Sequence, residues 1–252
     1  MGKTFMHIAV CLCQVPDTSS VIGFVDGTID RLRVTEVMNP YDEYALEEAV
    51  RCKERHEGSQ VTVFSVAPPS AKELLRKALA MGADRAVLVE AEVWDPYQIA
   101  LALSRAISSF YVDALPDLVF CGKQSTDFQN GQVPPMLAEL LGIASVSAIT
   151  ALTFSGECLK LEREIEGGIE YLEVTCPAVL STEKGLNVPR KTSVKAVMEA
   201  RKKPIDLLPL IIDEPPYVLM SGIKAAERKK ICRFVQDEKE LIRILGNERA
   251  LF

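Results

Sequence analysis

Residues 117–135 read DLVFCGKQSTDFQNGQVPP, and this stretch joins an apolar strand to a helix through a long polar loop. Its first five residues form a mostly apolar run that is typical of a strand buried in a sheet. Pro134 fits the first turn of a helix that extends to Leu141, where Gly142 provides a stop signal. The segment 122–135 has fourteen residues, whereas a strand-to-helix connection usually takes about 2 to 6. The extra length predicts a loop that does more than connect two elements.

Short apolar runs alternate with helical patterns through the first 150 residues. Asn39-Pro40 and Asp95-Pro96 are residue pairs favoured at helix starts, and Ser70 with Glu73 has the spacing of a capping box. Asp26-Gly27, between β-rich flanks, predicts a hairpin turn. This alternation predicts an open, mostly parallel, doubly wound α/β sheet with right-handed crossovers. The predicted strands are residues 8–13, 61–66, 85–89 and 117–121, and the predicted helices begin near residues 40, 70, 96 and 134.

The pattern changes after Ala148 to three β-type runs separated by glycine-containing turns at residues 155–156 and 167–168. Such runs predict an antiparallel meander over residues 149–175, followed by a further strand at 178–181. The meander is expected to extend the α/β sheet.

A tail rich in proline follows a basic, helix-like segment that ends near Lys203. Four prolines interrupt residues 204–216 before a last helix at about residues 237–245. We therefore expect an α/β domain of residues 1–203 and a C-terminal arm of residues 204–252 that packs on another chain.

Composition excludes several classes of protein. The chain has 252 residues, of which 48% are hydrophobic, and a net charge of −6. This charge argues against nucleic-acid binding, which depends largely on neutralising phosphates. No apolar run reaches the roughly 18 to 20 residues of a membrane span, and no signal peptide is evident. Seven cysteines, an odd number, in a chain with a large core favour free thiols, so we expect a soluble protein of the reduced cytoplasm.

No motif for side-chain catalysis is present. Neither G-x-G-x-x-G nor the P-loop pattern occurs, and no serine elbow pairs with His7 or His56. Cys11 and Cys13 are best explained as two buried small residues on one face of a strand. We expect no catalytic residue and no metal site.

The loop after residue 121 is the best candidate for a binding site. Ligands of open α/β sheets bind outside the carboxyl ends of the strands, and a helix N-terminus there favours phosphate. An ordinary polar connection is the alternative. The side chains that could bond phosphate or ribose are Lys123, Ser125, Thr126, Asn130 and Gln132, and Asp127 could accept from ribose hydroxyls.

Several segments, in order, resemble the β subunit of electron-transfer flavoprotein over roughly residues 5–245. The helix NPYDEYALEEAVRCKE at residues 39–54 is similar to a signature helix of that family. The other matching segments are ALAMGADR at 78–85, GKQ at 122–124, EREIEGG at 162–168, LNVPR at 186–190 and MEARKK at 198–203.

The resemblance implies the β subunit of a heterodimeric electron carrier with an adenine-nucleotide α-hydrolase-like sheet. Its α subunit would hold most of the redox FAD, and this chain would bind AMP. Electrons would come from a flavin dehydrogenase of the acyl-CoA dehydrogenase type and pass to a quinone-linked membrane oxidoreductase or another acceptor. The alternatives are a bifurcating carrier with a second FAD in this subunit, or a stand-alone adenine-nucleotide-binding protein.

The resemblance also implies the residues that contact the nucleotide. Tyr41 would approach the flavin from the β side. Phe128 and Gln129 depart from the family pattern, and the Phe128 ring favours AMP over a second isoalloxazine. Cys13 stands where a basic residue is usual. The implied contact positions are Cys11, Asn39, Pro40, Tyr41, Asp42, Val66, Gly122, Lys123, Gln124, Ser125, Thr126, Asp127, Asn130, Gly131, Gln132 and Val133.

Residues 182–203 match the family's recognition loop, which docks on the dehydrogenase. Val194 falls at the position of the apolar anchor, and Arg190 and Lys195 would belong to its charged rim. Glu164 matches a carboxylate that pairs with an arginine of the α subunit. A solvated basic helix is the alternative for this loop.

Overall fold

The structure is a computed structural model that describes residues 5–25, 28–30, 34–222, 232 and 234–247. Within these residues the chain forms thirteen strands and six α-helices. The strands are β1 His7–Cys11, β2 Gln14–Pro16, β3 Phe24–Val25, β4 Thr28–Ile29, β5 Glu36–Met38, β6 Gln60–Val66, β7 Arg85–Glu90, β8 Leu118–Gly122, β9 Ala144–Ser155, β10 Cys158–Ile165, β11 Gly168–Thr175, β12 Ala178–Thr182 and β13 Ile205–Pro209. The helices are α1 Pro40–Arg55, α2 Lys72–Met81, α3 Pro96–Phe110, α4 Val133–Leu141, α5 Val194–Ala200 and α6 Glu238–Asn247.

Nine of these strands form one sheet in the order β11-β10-β9-β12-β8-β1-β6-β7-β13. Every neighbouring pair from β9 to β13 in this order is parallel, while β10 is antiparallel to both β9 and β11. The predicted fold class, a mostly parallel α/β sheet with an antiparallel extension, is confirmed.

Helices cover both faces of the sheet, as the alternation of side chains along β1 requires. Ile8 and Val10 belong to the core cluster that contains α1 and α2, whereas Ala9 and Cys11 belong to the cluster that contains α3 and α4. Because both faces are buried, the central strands read as continuous apolar runs. The sheet is therefore doubly wound.

The antiparallel meander and the parallel sheet share strand β9. This strand begins at Ala144, five residues before the predicted start of the meander. Residues 144–149 pair in parallel with β12, and residues 149–155 pair antiparallel with β10. Ala148 has a φ of 56°, and its N–H donates to Ser181 Oγ at 2.9 Å. This local bend lets one strand leave the main sheet and enter the hairpin.

Two of the predicted helix caps are absent from the structure. The capping box of Ser70 and Glu73 is wrong, because a 3₁₀ turn over Pro69–Ala71 leads into α2 and no side chain caps that helix. Helix α1 begins at Pro40 as predicted, but the oxygen of Asn39 makes no capping bond, and its amide nitrogen donates to Asp42 Oδ1. Asp95 does cap α3, accepting the N–H of Gln98 at 2.9 Å.

The predicted hairpin turn Asp26-Gly27 lies outside the described residues. The short strands on its two sides, β3 and β4, pair antiparallel.

The first part of the proline-rich tail belongs to the sheet. Strand β13 pairs in parallel with β7, and Arg85 bonds Asp206 at 2.7 Å between them. The backbone N–H groups of Tyr217 and Val218 donate to Asp95 Oδ2 at 2.6 and 3.1 Å. A boundary at residue 203 is therefore misplaced, because the chain stays on the main domain to at least Val218. Packing of the later residues on another chain stays a prediction.

In the described part of the chain, no helix is long and apolar enough to cross a bilayer.

Asp95 links α3 to the tail, so its removal should affect both. We expect Asp95→Ala to lower the free energy of unfolding by about 1 to 3 kcal/mol, because a helix cap is lost and the N–H groups of Gln98, Tyr217 and Val218 lose their acceptor. Urea denaturation monitored by circular dichroism measures the change. Asp213→Ala, at an exposed carboxylate of the same tail, is the control and should leave the midpoint within experimental error. Equal midpoints for all three proteins would contradict this role of Asp95.

Candidate functional site

A cavity of about 340 Å³ opens at the carboxyl ends of β1, β6 and β8. Cys11, Val66 and Gly122, at the ends of these three strands, contribute to its wall. In the sheet, β6 and β7 follow β1 on one side, and β8 lies next to β1 on the opposite side. The strand order therefore reverses at β1, which marks the topological switch point. Open α/β sheets bind ligands at this point. The cavity thus lies where the spacing of the sequence predicted a site.

The carboxylate of Asp42 ties together the three segments that meet at the switch point. Its Oδ1 accepts the N–H of Gly122 and the amide of Asn39, each at 3.0 Å, and its Oδ2 accepts the N–H of Cys13 at 2.7 Å. Burial raises the pKa of Asp42 to about 6, although these donors act in the opposite direction by stabilising the charged form. One buried acidic group therefore fixes the loops after β1 and β8 against helix α1.

Gly122 makes this close approach possible. A Cβ at position 122 would overlap Asp42 Oδ1, and it would lie 2.7 Å from Tyr41 Cβ and 2.9 Å from the Asp42 backbone nitrogen. No side chain can therefore replace hydrogen at this position without moving the start of α1 away from β8.

Asn39 carries a buried oxygen without a partner on the cavity wall. Its side chain is 1% exposed, and its amide nitrogen donates to Asp42 Oδ1 and to the carbonyl of Gln124, both at 3.0 Å. Its Oδ1 accepts no hydrogen bond within the described structure. An unpaired buried acceptor costs about 1 to 3 kcal/mol. A ligand with a hydroxyl or amino group would satisfy it.

The loop before α4 supplies the free backbone donors of the site. The N–H groups of Asn130, Gly131 and Gln132 make no hydrogen bond to any described residue. The helix itself offers less than predicted, because Pro134 and Pro135 in its first turn have no N–H. Any anion at this site would therefore be held mainly by loop N–H groups and not by the helix terminus.

No cationic side chain lines the cavity among the described residues, although four carboxylates do: Glu36, Asp42, Asp95 and Asp127. Lys123 forms an ion pair with Glu183 and lies 5.3 Å from the Tyr41 ring, outside the cavity wall, so its predicted role as a phosphate ligand is not supported by its position. Burial, followed by the charge of Asp42, raises the pKa of the Cys13 thiol, which is therefore neutral. Backbone N–H groups and the neutral side chains of Ser125, Asn130 and Gln132 are the remaining donors for a phosphate.

Twelve of the sixteen predicted contact positions lie on the cavity wall. The four outside it are Pro40, Tyr41, Lys123 and Thr126, and of these Thr126 has a buried hydroxyl without a partner in the described structure. The positions on the wall are Cys11, Asn39, Asp42, Val66, Gly122, Gln124, Ser125, Asp127, Asn130, Gly131, Gln132 and Val133.

Sequence reasoning missed the side of the cavity formed by the segment between β7 and α3. The helix start at Asp95-Pro96 follows the carboxyl end of β7, so the rule that pointed to the other strand ends would have found this segment too. The wall residues of this segment are Val93, Trp94 and Asp95, and α3 adds Pro96, Ile99 and Leu103.

The segment of residues 182–190 is fastened along helix α1. Thr182 Oγ1 donates to the carbonyl of Tyr41 at 3.0 Å, and Asn187 Nδ2 donates to Glu48 Oε2 at 3.0 Å. Arg190 bonds Glu47 at 2.8 Å and, through a second nitrogen, Glu54 at 2.7 Å.

These ion pairs neutralise Arg190 within the chain. Burial tends to raise the pKa of Glu47, but hydrogen bonds from Arg190 and Arg51 outweigh it and lower that pKa. Arg190 thus holds the segment in place, and its charge is paired within the chain, so its place in a docking rim stays a prediction.

Val194 is the first residue of α5 and is 83% exposed. Ser193 caps this short helix by accepting the N–H of Ala196 at 3.1 Å. Val197 and Met198, also exposed, lie three and four positions after Val194 and so share its face of the helix. Val194 therefore belongs to a small apolar patch, with exposed Lys195 beside it. Glu164 is exposed on β10, far along the sheet in the meander.

Comparison with known proteins gives consistent matches over most of the chain. Residues 26–212 match the model of the electron transfer flavoprotein domain. The chain is 43% identical to the electron transfer flavoprotein subunit beta of Thermoanaerobacterium thermosaccharolyticum over 208 residues, which are 81% of this chain and 78% of the relative. It is 36% identical to the same subunit of Bacillus subtilis over 247 residues, covering 97% and 93%. It is also 36% identical to protein FixA of Sinorhizobium fredii over 208 residues, covering 79% and 73%.

The crowding around Gly122 gives a direct test of the switch-point geometry. We expect Gly122→Ala to lower the free energy of unfolding by at least about 2 kcal/mol, because a methyl group there overpacks a buried contact. Gly168→Ala is the matched control, since a Cβ at position 168 meets nothing within 4 Å. Urea denaturation of both variants measures the difference, and an unchanged midpoint for Gly122→Ala would show that α1 and β8 are not in close contact.

Proposed function

The chain belongs to the electron transfer flavoprotein family as a β subunit, and we propose that it binds AMP at the switch point while helping to enclose an FAD held by an α subunit. Members of this family transfer electrons and pair with an α subunit. The AMP site, the FAD contact and the partners beyond the α subunit belong to the proposal.

The buried, unpartnered Asn39 Oδ1 on the cavity wall is the observation that carries the nucleotide proposal. A ribose hydroxyl or an adenine amino group would donate to it. The free N–H groups of Asn130, Gly131 and Gln132 would take the phosphate. The fit supports a nucleotide that is bound without a cationic side chain.

The size of the cavity favours AMP over a second FAD. Ligand pockets span about 300 to 1,000 Å³, and a volume of about 340 Å³ lies at the small end of this range. A mononucleotide suits such a volume better than a dinucleotide does. The bifurcating alternative rests on sequence, because Gln132-Val133-Pro134 resembles the corresponding motif of carriers with a second FAD.

Electron transfer in this proposal is performed by the flavin, and the chain acts as a carrier subunit and not as an enzyme. When bound, the flavin supplies the redox chemistry, and the protein contributes binding, orientation and electrostatics. His7 lies against the rings of Phe5 and Tyr111, and His56 lies 4.5 Å from the Phe154 ring, so both have packing roles away from the cavity. Tyr41, outside the cavity wall, would face the flavin.

The apolar patch on α5 is the proposed docking site for a flavin dehydrogenase of the acyl-CoA dehydrogenase type. Val194 would be the anchor and Lys195 part of the rim, while Glu164 would pair with an arginine of the α subunit. The reduced carrier would pass electrons to a quinone-linked membrane oxidoreductase or another acceptor. None of the seven cysteines, all of which lie in the described residues, forms a disulfide bond, which supports a reducing compartment such as the cytoplasm. A stand-alone nucleotide-binding protein would have no use for the exposed apolar patch.

Cofactor content tests the proposed assignment. The chain expressed alone should be colourless and contain AMP, because its nucleotide cavity suits a mononucleotide. Co-expression with its α subunit should give a yellow complex with one FAD and one AMP, measured by absorbance and by chromatography of the released nucleotides. Two FAD per complex, or FAD on the isolated chain, would replace the AMP proposal with the bifurcating alternative.

Docking can be tested by changing the apolar anchor, Val194, and the charged residue beside it, Lys195, in separate variants. Filling a partner pocket with a valine contributes about 1.5 kcal/mol or more, so Val194→Asp should slow electron transfer from the dehydrogenase at least about tenfold. Lys195→Ala should slow it mainly at low ionic strength, because rim charges act through the association rate. Stopped-flow reduction over a range of salt concentrations measures both effects.

Val112→Asp is the matched control, since Val112 is also 83% exposed but follows α3. It should transfer electrons at the parent rate, and the flavin content of all variants should be unchanged. If Val194→Asp also matches the parent at every salt concentration, the dehydrogenase docks elsewhere.

A further inference from the structure

Two large aromatic side chains are exposed on the wall of the nucleotide cavity. Trp94 is 64% exposed and Phe128 is 67% exposed, and both line the cavity. They come from different parts of the chain, the segment after β7 and the loop after β8. Within the described residues neither ring contacts another aromatic ring. Exposed apolar surface beside a cavity is typical of a ligand-binding site.

Hydrogen bonds hold the backbone on both sides of Trp94. The N–H of Trp94 donates to Gln98 Oε1 at 2.8 Å, and the next residue, Asp95, accepts the N–H of Gln98 at 2.9 Å. Asp95 also accepts the N–H of Tyr217 from the tail. The indole is therefore attached to a backbone that is fixed before any ligand arrives, which reduces the entropic cost of binding.

Phe128 is also presented by a constrained piece of backbone. Its N–H donates to Asp127 Oδ1 at 2.9 Å, and the N–H of the following residue, Gln129, donates to the carbonyl of Ser125 at 3.0 Å. Gln129 has a φ of 53°, a conformation that is rare for a residue other than glycine. Such strained positions cluster where a ligand is held.

We propose that Trp94 and Phe128 form an aromatic clamp that stacks on the base of the nucleotide in this cavity. This inference rests on the proposed nucleotide site. The polar groups of that site, Asn39 Oδ1 and the free N–H groups of residues 130–132, can serve the sugar and phosphate. The base is the part of the nucleotide that remains to be bound, and an aromatic ring offers a flat apolar surface on which it can stack. Such stacking accepts any base with a π-face. The clamp would supply affinity that the site does not obtain from cationic side chains.

Trp94 provides its own readout because it is the only tryptophan of the chain. The full chain is freed of bound nucleotide and titrated with AMP while tryptophan fluorescence is recorded. Stacking of adenine on the indole should quench this fluorescence with a saturable dependence on AMP. The isolated chain is expected to be colourless, so flavin absorbance does not interfere.

Affinity measurements on variants complete the test. Stacking on one ring contributes 1 to 3 kcal/mol, which corresponds to about 5- to 150-fold. Equilibrium dialysis with AMP should show this loss for Trp94→Ala and for Phe128→Ala, whereas Trp94→Phe should retain most of the affinity because it keeps a ring. Ile165→Ala, at an exposed apolar side chain on β10, is the control and should bind AMP as the parent does.

The outcomes separate this inference from the function on which it rests. AMP binding without quenching, and with equal affinity in Trp94→Ala, Phe128→Ala and the parent, would overturn the clamp and leave the nucleotide site intact. Absence of AMP binding to the parent chain would overturn both.

Discussion

The cavity depends on one constraint, the burial of the Asp42 carboxylate between the ends of β1 and β8. Three donors from three segments converge on this group, and burial raises its pKa to about 6. The carboxylate can approach β8 only because residue 122 is a glycine. Since Asn39 and Asp42 both lie at the start of α1 and on the cavity wall, the same contacts that close the fold also shape the site.

Periodicity and strand-end rules predicted the sheet and the position of the cavity, because both follow from local patterns. Side-chain pairs between distant residues could not be predicted in this way. Lys123 has the residue type and position of a phosphate ligand, but Glu183 pairs with it in the folded chain. Arg190 has the residue type expected at a charged rim, but it forms an ion pair with Glu47, which is 143 residues away along the chain. Neither ion pair could be predicted, because the sequence shows a charge without showing its partner.

The position of the tail was also not evident from its sequence pattern. Prolines between residues 204 and 216 indicate a loose arm, yet proline is tolerated at the ends of an edge strand. Strand β13 begins right after Pro204, ends at Pro209 and lies at the edge of the sheet. The proposed docking surface, residues 190–203, also carries fewer unpaired charges than its composition suggests. Besides Arg190, Lys202 pairs with Glu199, and Lys203 donates to the carbonyl of Ala83. Electrostatic steering by this surface would therefore rest on a few residues, Lys195 among them.

The length of helix α1 sets the distance between two parts of the molecule. Asp42 in its first turn lines the cavity, and Glu54 near its end bonds Arg190, which precedes α5. Twelve positions at 1.5 Å each set a spacing of about 18 Å between them. Adding or deleting one residue within this stretch would rotate one end by about 100° relative to the other. The length of α1 is thus constrained at both of its ends, so an insertion or deletion in this helix would disturb the cavity or the Arg190 contacts.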